Sequence, residues 1–276
     1  MNKNDPIERW DQFINIIKKL SPSNEERWVF RGHQDGKQLL TTSLDYAVNR
    51  FESLGLNRKE AENFLLREFK RHFHRYSQYI PSEDNKLEWL SLMQHHGAPT
   101  RLLDWTYSAY IALYFAIARA NVNSECEVWA INQTYCWKIF KEKLNDCNEQ
   151  LKKLLDANDK SEEVIKFVLN DFPSNIKIVC PLNPFYLNER LTIQQGTFLI
   201  PLGGDLSFED NFKTSIGENS RYYKKIRIKC TERFLKQAFA ELHRINVSAV
   251  NLFPGIDGLA RSLHITMLLK HLYPNK

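Results

Sequence analysis

Residues 94–106, QHHGAPTRLLDWT, crowd two histidines, an arginine, an aspartate and a tryptophan into one short run ahead of an apolar stretch. Such side chains transfer protons, hold anions and stack on rings, so the run reads as one wall of a ligand site. Asp104 is a candidate acid, Arg101 a candidate holder of phosphate, and His95 and Trp105 candidate ligand contacts. Thr100 and Arg101 follow Pro99 in an extended turn, from which their side chains can enter a cleft. Bland roles compete. Asp104 or Thr106 can cap the helix that follows, and Asp104 can pair with Arg101. His95 and His96 end a helix, where the dipole favours them. A cap needs only one of Asp104 and Thr106, and the excess of polar residues points to a ligand. No third ligand lies at metal spacing, so no metal is expected.

Arg31 is the second candidate. In VFRGH it ends a hydrophobic strand, where its guanidinium can fork onto a phosphate or carboxylate, and Gly32 lets a ligand approach the backbone. The third is NERLTIQQGTFLIP, in which Gln194 and Gln195 precede an apolar strand. Paired amides supply the donors and acceptors that an adenine or nicotinamide edge requires, and a polar hairpin turn is the competing account. In FPGIDGLARS, Asp257 reads as a turn residue and N-cap. RYYKKIRIK puts Lys225, Arg227 and Lys229 on one face of a strand and Ile226 and Ile228 on the other.

These residues need elements to position them. DPIERWDQFINIIKKL predicts a helix opened by Asp5 and Pro6. RWVF predicts a strand over 27–30 stopped by Gly32, and KLEWLSLMQHH a helix ended by Gly97. YSAYIALYFAIARA, apolar all round, predicts a helix buried on every side. CEVWAIN, IKIVC, TFLIP and KKIRIK predict strands, and TERFLKQAFAELHRIN a helix capped by Thr231. Residues 137–171 are charge-rich and amphipathic, and read as a helical hairpin laid on the surface as an insertion. Strands and helices interleave without strict βαβ alternation, which predicts an α+β fold with a small mixed or antiparallel sheet flanked by helices. The expected organisation is an N-terminal helix over 1–24 and one domain over 25–276.

The chain has 276 residues, 43% of them hydrophobic, and a formal net charge of +5. That allows a sizeable core and an anionic ligand without demanding one. Five cysteines without C-x-x-C spacing argue against a disulfide framework and for a reducing cytoplasm. Uncharged stretches such as Trp105–Ala118 fall short of the roughly 20 residues that span a bilayer. P-loop, dinucleotide-fingerprint, zinc-protease, serine-hydrolase and deaminase motifs are absent.

Together these stretches resemble the FRG domain, a bacterial family named for a Phe-Arg-Gly tripeptide, here Phe30-Arg31-Gly32. QHHGAPTRLLDWTYSAYIALYFA is similar to the family's strongest segment. Arg190, Gln194, Gln195, Gly196 and Phe198 match a second motif and LFPGIDGLA a third, so the resemblance runs over roughly 25–265. His33 stands where the family usually has Gln, and LLTTSL lacks a usual proline. The layout also resembles, distantly, ADP-ribosyltransferase-like folds, which hold NAD beside an Arg-Gly or His-Gly at the end of their first strand. Those folds place a Glu where this chain has Gln or Gly. The resemblance therefore implies that another acid, Asp104 or Glu189, serves, or that a nucleotide is bound without turnover.

The resulting expectation is a cleft in which Arg31, Asp104 and Gln195 act on the ligand, while Gly32, His95, Thr100, Arg101, Trp105 and Gln194 bind it. The ligand is an anionic nucleotide, NAD foremost, and the reaction implied is transfer or hydrolysis at the nicotinamide glycosidic bond, as in bacterial toxins and anti-phage effectors. Two alternatives stay open. One is a non-catalytic sensor that recruits a protein partner through 137–171. The other is a nucleic-acid-binding protein using RYYKKIRIK and the basic helix at 67–75.

Overall fold

A computed structural model describes residues 5–20, 26–36, 39–147, 153, 162–184, 189–203, 206–217 and 221–272. Six strands form one antiparallel sheet: β1 (Trp28–His33), β2 (Leu103–Thr106), β3 (Glu125–Asn132), β4 (Val179–Leu182), β5 (Gly196–Pro201) and β6 (Tyr223–Lys229), in the order β4-β5-β2-β1-β3-β6. The helices are α1 (Trp10–Leu20), α2 (Ser43–Arg50), α3 (Arg58–Phe73), α4 (Lys86–His95), α5 (Ala109–Ile117), α6 (Gln133–Cys147), α7 (Glu162–Asn170), α8 (Glu189–Ile193), α9 (Phe208–Ile216), α10 (Glu232–Arg244), α11 (Ala249–Leu252) and α12 (Ile256–Leu272). The architecture is α+β, as the interleaved pattern predicts.

Helix α5 anchors the sheet. Apolar on every side, it buries Ile111, Ala112, Leu113 and Ala116 against Phe30, Val128, Ala130 and Ile226, and α10 adds Phe234, Leu235 and Ala238 to the same cluster. Thr231 caps α10, accepting from Phe234 N, as its sequence predicts. A second cluster packs Trp89 of α4 and Phe140 of α6 with Phe198 and Ile200 of β5. A third gathers Val29, Leu103, Trp105, Ile131 and Leu199 under Phe208 and Phe212 of α9.

Four expectations change. The segment 103–106 is a central strand, not a cap: Leu103 and Trp105 enter the third cluster, and the four residues run against β5 from Leu103–Leu199 to Thr106–Gly196. The cap of α5 is Ser108, whose hydroxyl accepts from Ile111 N at 3.3 Å. Strand β1 does not stop at Gly32 but runs on to His33, because β3 pairs it from Trp28–Asn132 to His33–Glu127. Helix α1 starts at Trp10, five residues after the predicted cap. The intervening Ile7 pairs with β6 instead, donating to the Arg227 carbonyl and accepting from Lys229 N, both at 2.9 Å. The charged segment after β3 is not merely laid on the surface, since α6 buries Phe140 and Leu144 and α7 buries Val164 and Val168 in the second cluster. The tip of that hairpin, 148–152 and 154–161, lies outside the described residues.

Gly32 explains how closely α5 sits on the sheet. A Cβ there would collide with the Ala112 carbonyl and stand 2.6 Å from Ala116 N. Both obstacles are helix backbone and cannot rotate away. Gly32→Ala is therefore expected to cost about 1–3 kcal/mol by overpacking, read as a lower urea midpoint at unchanged m-value.

Candidate functional site

Strands β1 and β2 are in register at a single pair, Phe30 opposite Thr106. Beyond it they part, and a cleft of about 350 Å³ opens between them, lined by Arg31, His33, Asp104, Trp105, Phe115 and Arg190 among others. The volume falls in the range of small-molecule sites.

Arg31 occupies the seam. Its Nη1 donates to the Asp104 carbonyl at 2.6 Å, taking the place of a ladder bond, and its Nε donates to His33 Nε2 at 3.2 Å. Accepting at Nε2 puts the proton of a neutral His33 on Nδ1. Burial pushes the guanidinium below its ordinary value, and the Asp104 carboxylate opposes that shift. Among the described residues Nη2 has no acceptor, so the free side of the fork belongs to the cleft.

Asp104 is the exposed residue of an otherwise buried strand. Its carboxylate is held by a polar chain that starts deep in the protein. Thr100 is fully buried, and its hydroxyl donates to Gln94 Oε1 at 2.6 Å. That bond fixes the amide so that Gln94 Nε2 donates to Asp104 Oδ2 at 2.8 Å. Ser43 joins the chain, its Oγ accepting from Thr100 N at 3.0 Å. Two ends of one motif are thus linked through a glutamine on α4.

The opposite wall comes from α8 and the residues after it. Arg190 lies over the Phe253 ring at 5.5 Å, and Phe253 meets Phe115 edge-on at 5.9 Å. His95 sits near Arg190. Burial first, then His96 and Arg190, hold its imidazole below its ordinary value. Trp105 is buried, and its indole Nε1 has no acceptor among the described residues.

The structure separates the candidate residues. Arg31, Gly32, Asp104, Trp105 and Gln194 line the cleft. Gln194 spends its side chain elsewhere, donating from Nε2 to the Leu252 carbonyl at 3.0 Å, while its own carbonyl accepts from the Thr106 hydroxyl at 2.7 Å. Gln195 is not in the lining. It takes the left-handed turn before β5 with φ of 47°, and its carbonyl accepts from Tyr107 N. Thr100 acts from behind, through Gln94. Arg101 points away from the cleft, its Nε donating to Glu62 Oε2 at 2.5 Å. Glu62 is fully buried and also meets Lys86 at 3.2 Å. The side of Gly32 that a Cβ would occupy is filled by α5 rather than a ligand. Reading the sequence missed Gln94 as the holder of Asp104, and Arg190, Phe115 and His33 as walls. The signal for Arg190 was its place in the motif it shares with Gln194 and Gln195, four residues before Gln194.

Residues 26–125 match the FRG domain. Over those residues the chain is similar to the FRG domain. The match takes in β1, α2 to α5 and β2, and hence Arg31, Gln94, Thr100 and Asp104. Arg190 and Gln194, which line the cleft, lie beyond the matched residues. No curated protein and no solved structure matches the chain. Among the described residues no helix is long and apolar enough to cross a membrane. The basic face of β6 lies on the same strand surface its sequence predicts, and each cation there has a carboxylate: Lys225 with Glu127 at 2.8 Å, Arg227 with Glu125 at 2.6 Å and Lys229 with Glu8 at 3.0 Å.

Two outcomes are expected for this polar framework. Thr100→Val, near in shape, strands Gln94 Oε1 without its donor and costs about 1–3 kcal/mol, measured by equilibrium denaturation. Glu62 governs acid stability. Burial pushes its carboxyl up, but Arg101 and Lys86 outweigh burial and hold it below its ordinary value. Its contribution is therefore complete above the unfolded carboxyl's value and is lost as pH falls through the lower folded value. Glu62→Gln is expected to lower stability at neutral pH by about 3–5 kcal/mol and to flatten the fall in melting temperature below pH 4.5 or so.

Proposed function

We propose that the cleft between β1 and β2 binds an anionic nucleotide, with NAD as the first candidate, and that Asp104 serves the reaction as its carboxylate. The observation that carries this reading is an exposed carboxylate, held from a buried chain, facing a guanidinium whose Nη2 has no acceptor among the described residues, inside one cleft. A protein gains nothing for its own stability by fixing a solvent-facing acid so firmly, whereas a ligand site requires it. Arg190 and Arg31 supply charge for phosphate. Phe115 offers apolar ring surface.

In NAD cleavage the bond between ribose C1′ and the nicotinamide nitrogen breaks, and its electron pair leaves with nicotinamide. Positive charge develops on the ribose, and water or another nucleophile attacks C1′. Asp104 stabilises that charge and accepts the nucleophile's proton. This assigns to Asp104 the part that ADP-ribosyltransferase-like folds give to a Glu, and leaves Gln195 to the backbone turn.

Titration of the full chain with NAD, followed for released nicotinamide by mass spectrometry, tests the reading. Saturable binding and slow release are expected. Asp104→Asn should reduce release by about 100-fold or more with binding kept, and Arg190→Ala should weaken binding by about 10-fold. Binding without release would leave a nucleotide sensor. Folded protein that neither binds millimolar NAD nor releases nicotinamide would end the nucleotide reading.

A further inference from the structure

Away from the cleft, and sharing no lining residue with it, a small cavity of about 60 Å³ opens between the start of α3, the turn before β2 and the end of α7. Arg58, Lys59 and Arg101 line it, with Asp45 as the acid in its wall. Lys86 stands close behind, bonded to Glu62 and to the Leu169 carbonyl at 3.3 Å.

Among the described residues, the charges in this corner do not balance. Asp45 pairs with Arg58 at 2.8 Å, and Glu62 answers both Arg101 and Lys86. Among the described residues, the four cations Arg58, Lys59, Arg101 and Lys86 stand against these two carboxylates. The surplus is held in a confined place, for the side chains of Arg58 and Arg101 are only 21% and 16% exposed. Arg101 spends its Nε on Glu62, and among the described residues its Nη groups have no acceptor. Lys59 likewise has none. The repulsion is felt by Lys86, whose ammonium is pushed below its ordinary value by burial first, against the pull of Glu62, and further by Arg101 and Lys59.

We infer that this cavity is a second anion site, and that it takes a phosphate dianion, free or as the head of a phosphomonoester. The surplus of two positive charges matches a phosphate near neutral pH, which carries about −1.5 to −2. A carboxylate would leave one cation unanswered. At about 60 Å³ the cavity is small, which suits a phosphoryl group better than a whole nucleotide. The open edge of the Arg101 fork supplies paired N–H donors of the kind that meet phosphate oxygens, and Lys59 supplies a point charge at the mouth.

Calorimetric titration of the full chain at constant ionic strength tests the site with three probes: inorganic phosphate, ribose 5-phosphate and acetate. Saturable binding of inorganic phosphate, with acetate at least 10-fold weaker, is expected. Comparable binding of ribose 5-phosphate identifies a monoester site, and its exclusion a site for the free ion. Lys59→Glu leaves the buried pairs intact and should weaken phosphate by 10-fold or more. Arg190→Ala, in the cleft, should leave it unchanged. The inference is overturned by the absence of saturable phosphate binding, by binding that survives Lys59→Glu, or by binding lost in Arg190→Ala. None of these outcomes depends on what NAD does.

Discussion

The sheet is interrupted where β1 and β2 should continue to pair, and the guanidinium of Arg31 takes over. A backbone carbonyl left without its ladder partner inside a protein costs free energy comparable to a lost hydrogen bond. Arg31 Nη1 meets that carbonyl at Asp104. A charged donor on a long arm can do this while holding the strands apart, which a backbone N–H cannot. The gap persists because α5 closes one side of it. That helix can lie on β1 only where a Cβ is missing, and the Phe-Arg-Gly tripeptide states the arrangement in three residues: one buried in the core, one in the seam, one removed to admit a helix.

The longer motif divides its labour in the same way. Gly97, with φ of 80°, turns the chain out of α4. Thr100 and Gln94 carry orientation to Asp104, and Leu103 and Trp105 hold the strand down. Arg101, between them, faces the other way and balances a carboxylate on α3. The run is thus a short beam with one end in the cleft and one in the cationic corner. The bond from Leu44 N to the Thr100 carbonyl at 3.1 Å ties its middle to α2.

Much of this was legible from residue types. An all-apolar helix announced a buried one, alternation placed β6 correctly with its cations on one face, and Thr231 gave a true cap. The site was legible in part. Arg31 and Asp104 share a cleft, as the crowding of polar residues suggested. The directions of Thr100 and Arg101 were not, because alternation along a turn and a four-residue strand carries too little signal to say which side faces a cavity. Strand β2 hid for the same reason: Asp104 before Thr106 and Ser108 reads as a helix start, and only pairing with β5, more than ninety residues on, makes it a strand. Glu62 sits among the many charges of α3, yet it is the fully buried partner that decides where Arg101 goes.

The treatment of the sheet's borders bears on how the protein behaves in a crowded solution. An outer strand with open N–H and C=O groups is a template on which other chains can grow. Here β6 is charged along its length, and Ile7 occupies two of its backbone groups. At the far border β4 carries Pro181, which has no N–H to offer. The six strands therefore form a finished object, with its aggregation-prone rims trimmed by a few residues of leading chain on one side and a single imino acid on the other.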